Sequence, residues 1–450
     1  MISLSWRALV ALAACLGASA CRSYQAEPLD LAAVVRSERA RRGEVGPPDH
    51  QPPRLTLRVA IARLPEHHPE LRRLRAAAGT AEAVASVATP FPNPTLALLA
   101  TGPTWHDVIA SPLHGEAGFG WSLPLFGHEA ATDDVHAARA TAARATLAAA
   151  TRTAYLDVRR AFVAAVLAEE RQAIALDVQR TTEEALAVVR RLVEAAQATA
   201  LDVRGFELEA YGAQIDRLEA DERADEARAD LAARIGWTLD GLRLEPVRPD
   251  PPAHVPAPDV ARETFLRHHP DLDLLRAEYA TAEAELRRAI RRQWPGIELG
   301  LTYEREEGGR RIGLGPSVEL PLFDRNQSEI AEAEAKRDEA RTRFAVRVAE
   351  GLHDVERARL RLGHRMRRYE LTHARLAPVA AKTLDLARRA LESGAADALR
   401  VLAVVREERR ARVALVDANR ALVDAWVALE LACGAPLLSF PGLSEEEESR

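Results

Sequence analysis

PGIELGLTYEREEGGRRIGLGPSVELPLF spans residues 295–323. Ile297, Leu299, Leu301 and Tyr303 alternate there with Glu298, Gly300, Thr302 and Glu304. Gly308-Gly309 has the composition of a hairpin turn. Beyond it the alternation resumes. Ile312, Leu314, Pro316, Val318 and Leu320 fall on one face, and Gly313, Gly315, Ser317 and Glu319 on the other. A strict period of two predicts paired strands over about 295–306 and 310–323. Segments of this length with one apolar and one polar face fit the wall of a transmembrane barrel, apolar toward lipid and polar toward a lumen. A half-buried sheet packed on soluble helices gives the same alternation, so the pattern alone leaves both readings open.

The pattern occurs twice. Phe119, Trp121, Leu123 and Leu125 face away from Gly118, Gly120 and Ser122, predicting a strand over 115–126, with a less regular one over 94–103. Trp105, Trp121, Trp294 and Tyr303 lie in or beside these segments, as an interfacial girdle requires. Four strands cannot close a barrel, and an open sheet edge is not tolerated in lipid. A membrane reading therefore needs several chains sharing one barrel; three would supply twelve strands.

The duplication extends through most of the chain. His67-His68-Pro69-Glu70-Leu71 returns about 200 residues later as His268-His269-Pro270-Asp271-Leu272. Thr80-Ala81-Glu82-Ala83 returns as Thr281-Ala282-Glu283-Ala284, and Leu123-Pro124-Leu125-Phe126 as Leu320-Pro321-Leu322-Phe323. Pro94, Glu194, Leu201 and Gly236 have counterparts in Pro295, Glu392, Leu399 and Gly434. Two repeats follow, 55–245 and 259–440, joined by a Pro-rich linker at 246–258, with an acidic tail at 441–450. Each reads as a helix, two strands, a very long helix over 128–194 or 326–392, a break, and a further helix over 201–236 or 399–434. The long helices would measure about 100 Å at 1.5 Å per residue. The two shorter ones laid end to end nearly match that length, which predicts an antiparallel bundle. No proline interrupts 125–245, whereas Pro378 predicts a kink in the second long helix.

Composition agrees: 450 residues, 47% hydrophobic but only 5% aromatic, rich in Ala, Leu, Glu and Arg. This describes long helices with thin, closely packed seams. The net charge of −6 excludes the basic surface of a nucleic-acid binder. At the N-terminus Arg7 precedes an apolar run, Ala8–Ala20, too short to span a bilayer. It ends Ala18-Ser19-Ala20-Cys21, which is similar to a bacterial lipoprotein signal. Residues 1–20 are then a leader, Cys21 the lipidated first residue, and 21–54 a linker; Cys15, after Leu12-Ala13-Ala14, is the alternative. Arg22, rather than Asp, after the cysteine fits sorting to the outer membrane.

The remaining motifs carry no chemistry. Adjacent histidines on a helix diverge by roughly 100°, so the His-His pairs chelate poorly. Cys433 reads as a core thiol. No zinc spacing, phosphate loop or catalytic constellation is present, so neither cofactor nor enzymatic activity is expected.

Duplication, signal, paired strands and long helices together resemble the TolC-type outer-membrane efflux family over about 55–436. The most specific elements are the two helix starts at His67–Leu71 and His268–Leu272, and Leu320-Pro321-Leu322-Phe323-Asp324-Arg325-Asn326-Gln327, which is especially like the heavy-metal efflux branch. Ala196 departs from the family glycine kept at Gly394. The resemblance implies a mainly α fold with a small β part, in a homotrimer. Its twelve-stranded barrel, with Trp121, Ile297, Leu299, Leu301, Tyr303, Ile312, Leu314 and Val318 toward lipid, would stand on a periplasmic α-helical barrel. It implies docking, through an adaptor, on an inner-membrane resistance-nodulation-division pump. Arg190, Glu194, Thr199, Leu201 and Asp202 at one helix break, and Arg388, Glu392, Gly394, Asp397 and Leu399 at the other, would form the adaptor-contacting and gating tips. The function implied is a passive export duct for heavy-metal cations or, alternatively, for drugs and other small molecules. A poreless helical periplasmic adaptor is the reading from a different class.

Overall fold

A computed structural model describes residues 24–41, 54–101, 114–196, 199–239, 242–246, 254–306, 309–392 and 398–435. It divides into two units, 1–46 and 47–450. In the first, helix α1 (Leu31–Arg41) starts where Asp30 Oδ1 accepts the Ala32 N–H at 2.9 Å. The sequence gives no apolar period there and the segment reads as linker; its helix buries no residue.

In the second unit, the first repeat contains β1 (Arg54–Leu55), α2 (Leu57–Ala62), α3 (Leu64–His67), α4 (Pro69–Ala85), β2 (Thr95–Thr101), β3 (His114–Leu123), α5 (His128–Glu194), α6 (Ala200–Ile235) and β4 (Arg243–Leu244). The second contains α7 (Pro258–His268), α8 (Pro270–Arg291), β5 (Ile297–Glu306), β6 (Gly309–Val318), α9 (Gln327–Leu371), α10 (Ala377–Glu392) and α11 (Ala398–Cys433). β1 and β4 form a parallel bridge that ties the start of the first repeat to its end. Two residues per strand are too few to show a period, so the bridge is invisible in the sequence.

Helix α5 runs 67 residues, about 100 Å, because nothing in it breaks the ladder and alanine lets neighbours approach closely. At mid-length it buries Leu156, Val158 and Phe162. These join Leu231 and Ile235 of α6, Phe265 of α7, Leu362 of α9 and Trp426 of α11 in one core drawn from both repeats. The second long helix differs from its expected form. A π-helical turn, Thr372–Leu376, separates α9 from α10 immediately before Pro378. Pro378 has no N–H to return to residue 374. The ladder widens instead, with Ala377 N–H bonding to the Thr372 carbonyl, and the helix continues. The strands are also shorter than expected: β3 stops at Leu123, ahead of Pro124, which cannot donate to a ladder, and β6 stops at Val318, opposite Ile297, the first residue of its partner β5. Phe126 (φ 68°) and Asn326 (φ 60°) then turn the chain into the long helices.

The duplicated His-Pro and Gly landmarks meet in space. His68 and His269 are N-caps: their Nδ1 atoms accept N–H bonds from Leu71 (3.4 Å) and Asp271 (3.1 Å). Burial lowers the proton affinity of both imidazoles, keeping those acceptors free. The closing glycines Gly236 and Gly434 terminate α6 and α11 in the left-handed region; Gly236 presses on His67, beside the His68 cap, and Gly434 on the His269 cap itself. A Cβ on Gly434, already at φ 74°, would lie 2.4 Å from His269 Cα. Gly434→Ala should therefore cost at least 1–2 kcal/mol in left-handed strain alone, with the clash added. Chemical denaturation should show a lower midpoint; an unchanged one would refute this reading of the motif.

Candidate functional site

Strands from both repeats make one antiparallel sheet in the order β2-β3-β5-β6. Its register fixes the faces. Trp121 pairs with Leu299 and Leu299 with Pro316; Phe119 pairs with Leu301 and Leu301 with Leu314; Tyr303 pairs with Ile312 and Ile297 with Val318. Directly paired residues share a face, so all eight strand residues singled out in the sequence lie on one side. Leu96 and Leu98 extend that side onto β2 through their pairing with Phe119 and Ala117. The opposite side is small or polar: Gly120 pairs with Gly300 and Gly300 with Gly315, and Glu116 pairs with Glu304 and Glu304 with Arg311.

The apolar side is bare in the single chain. Ile312 is 74% and Leu314 76% exposed, and every residue of β6 is exposed. A contiguous apolar face of this kind marks an interaction surface. Phe91, Trp294 and Phe323 are exposed where the sheet meets the helices; Trp294 packs on Phe126 at 5.5 Å and Trp121 Nε1 donates to the Pro92 carbonyl at 3.0 Å. Among the described residues β2 and β6 are the two edges of the sheet, each with one side unpaired. Trp105 lies outside the described residues.

The helix breaks are arranged differently from a uniform charged tip. Thr199 and Asp202 form a reciprocal capping box that starts α6, and bonds from Thr199 hold the Asp202 carboxyl below its usual range. Arg190 pairs with Glu207 at 3.0 Å inside its own hairpin. Leu201 is 80% exposed; Glu194 and Arg388 are exposed. Ala196 adopts φ 57° without glycine's freedom. Glu392 and Leu399 lie in helices, while Gly394 and Asp397 fall outside the described residues, as do Cys15 and Cys21.

Contacts between the repeats lie further from the breaks. Arg406 donates to Glu209 at 2.8 Å, and Arg409 reaches Asp216 at 3.0 Å and Glu209 at 3.9 Å, joining α11 to α6. Arg412–Asp177 (2.9 Å) and Arg171–Asp417 (2.6 Å) join α11 to α5. Deeper still, the fully buried Arg159 on α5 pairs with the fully buried Glu430 on α11, which also accepts the Trp426 indole N–H at 3.0 Å. Sequence reading missed all of these. Antiparallel register across repeats sets them, and a single charged residue on a helix does not announce its partner. Cys433 is buried, which pushes its thiol up to about 12, far from a reactive thiolate. Among the described residues no helix is long and apolar enough to cross a membrane, and no group of three or more His, Cys, Asp or Glu side chains is arranged to hold a metal ion.

A two-faced sheet carried on a long helical bundle defines the outer-membrane duct class. The model for outer membrane efflux proteins matches residues 60–237 and 262–435, and the chain belongs to that family. It is accordingly an outer-membrane protein whose helices extend into the periplasm. The cobalt-zinc-cadmium resistance protein CzcC of Cupriavidus metallidurans is 25% identical over 256 residues, 56% of this chain and 60% of the relative, so the match spans under two thirds of that protein. Among solved structures, a membrane protein from Pseudomonas aeruginosa superposes with a TM-score of 0.70 at 21% identity, covering 84% of this chain and 93% of that one. CusC, studied for transmembrane channel formation, gives 0.70 at 18% identity over 84% and 92%. Both likenesses concern the fold.

Proposed function

We propose that three copies of this chain join their sheets, β2 of one to β6 of the next, into a twelve-stranded barrel, and work as the passive outer-membrane duct of a tripartite efflux system. The observation that carries this is the four-stranded sheet with one bare apolar face, one glycine- and glutamate-bearing face, and two open edges. In lipid such edges must be paired, and repeating the sheet around an axis pairs them. Trp121, Ile297, Leu299, Leu301, Tyr303, Ile312, Leu314 and Val318 then face lipid. Cys21, or in its place Cys15, anchors the mature chain through a lipid. A periplasmic adaptor engages the tips around Leu201 and Leu399, and an inner-membrane resistance-nodulation-division pump supplies the energy. The cargo is divalent metal cations, a reading supported by the similarity to CzcC. The gate is the set of ion pairs between α11 and α6 centred on Arg409, rather than the tip charges.

Cells grown with labelled palmitate test the assembly. The protein extracted in detergent from the outer-membrane fraction should be labelled, and its mass should equal three chains. A soluble, unlabelled monomer would return the sheet to an ordinary half-buried role. Deletion of its gene should raise sensitivity to cobalt, zinc or cadmium; sensitivity to drugs alone would replace the cargo and keep the duct.

A further inference from the structure

A cavity of about 340 Å³ opens where α5 and α6 of the first repeat meet α9 and α11 of the second. Its floor is apolar, made by Ile174, Val178, Ala220 and Val413. Its wall carries Arg171, Arg223, Arg368, Arg409 and Arg410 against only Asp216, Glu219 and Asp417. Three of these arginines are matched within the wall: Arg171 to Asp417 (2.6 Å), Arg223 to Glu219 (3.0 Å) and Arg409 to Asp216 (3.0 Å). Arg410 turns to Glu407 on its own helix, at 2.5 Å, and both groups remain exposed. Arg368 has no carboxylate within ion-pair distance among the described residues.

We propose that this cavity binds a small amphiphilic organic anion. Its apolar body would lie on the Ile174–Val413 floor, and its sulfonate or carboxylate would meet Arg368 and Arg410. The volume falls at the small end of organic-ligand sites, which run from about 300 to 1,000 Å³. An inorganic oxoanion would leave the apolar floor uncovered. The excess of arginine repels a metal cation, so the cavity is no resting place for cationic cargo. Guanidinium groups not fully engaged by carboxylates give charge-assisted, bidentate bonds to a planar or tetrahedral anion head.

The test uses 1-naphthalenesulfonate and the full chain in detergent, followed by titration calorimetry. Saturable binding is expected at one site per chain, weakened about tenfold by Arg368→Ala or Arg410→Ala, the loss of one charge-assisted bond. Both arginines are surface groups, and Arg368→Gln removes the charge while keeping a polar residue of good helix propensity should the alanine variant melt early. Inorganic sulfate at the same concentration should not saturate. Absence of saturable naphthalenesulfonate binding overturns the proposal. So does binding that is indifferent to both arginines, or sulfate binding of equal strength, which would reduce the cavity to a charge trap without a use for its floor.

Discussion

Glu430→Leu should destabilise the helical unit by about 3–5 kcal/mol, because it removes the carboxylate that the buried Arg159 guanidinium pairs with. Both side chains are fully buried, and Arg159 comes from the first repeat while Glu430 comes from the second. The substitution also removes the acceptor of the Trp426 indole N–H. The loss of that buried hydrogen bond adds to the cost. Replacing the whole pair is a different experiment. Arg159→Met combined with Glu430→Leu removes both charges and keeps apolar volume, so most of the stability should return. Urea denaturation of the two variants gives the comparison. Removing Arg73 from its exposed pair with Glu70 supplies the scale of a surface bridge, at most about 1 kcal/mol. If Glu430→Leu loses no more than Arg73→Ala, the buried pair is not what fastens α11 to α5.

The contrast between this pair and the strands shows what a sequence can and cannot reveal here. The strands were legible because lipid or solvent against one face imposes a period of two over a whole strand, as over the eight residues Ile297–Glu304. The long helices were legible because residues 125–245 hold no proline, the residue that interrupts the ladder most strongly; the break at Ala196 was harder to place, because it uses neither proline nor glycine. Pro378 was legible as a perturbation of the helix, but not the form it takes: that the ladder widens into a π turn over Thr372–Leu376 depends on what packs around it, not on the proline alone. Arg159 and Glu430 were hidden because they are 271 positions apart and each looks like one more charge on a charged helix. Thr199 and Asp202 were visible as residues of the tip; that they face each other in a capping box follows from their three-residue spacing, a local signal at the start of α6.

Arg409→Ala should leave the duct open. Arg409 holds α11 to α6 through Asp216 and Glu209, and Arg406 adds a second link to Glu209. These groups are part-exposed, so each link contributes only about 0.5–1 kcal/mol. In a trimer the loss recurs three times, which amounts to roughly 1.5–3 kcal/mol, a shift of about 10- to 150-fold in the balance between closed and open forms. In planar bilayers the Arg409→Ala channel should spend most of its time in a state of higher conductance. Raising the salt from 0.1 M to 1 M should move the unaltered channel in the same direction, because the screening length falls from about 10 Å to 3 Å. Exchanging the charges, with Arg409→Glu and Asp216→Arg together, should restore closure in part, which a merely loosened helix would not do. Arg190→Ala provides the decisive contrast: its pair with Glu207 stays within one hairpin, so its loss cannot separate the two repeats. An Arg190→Ala channel that opens as readily as Arg409→Ala would move the gate back to the helix tips.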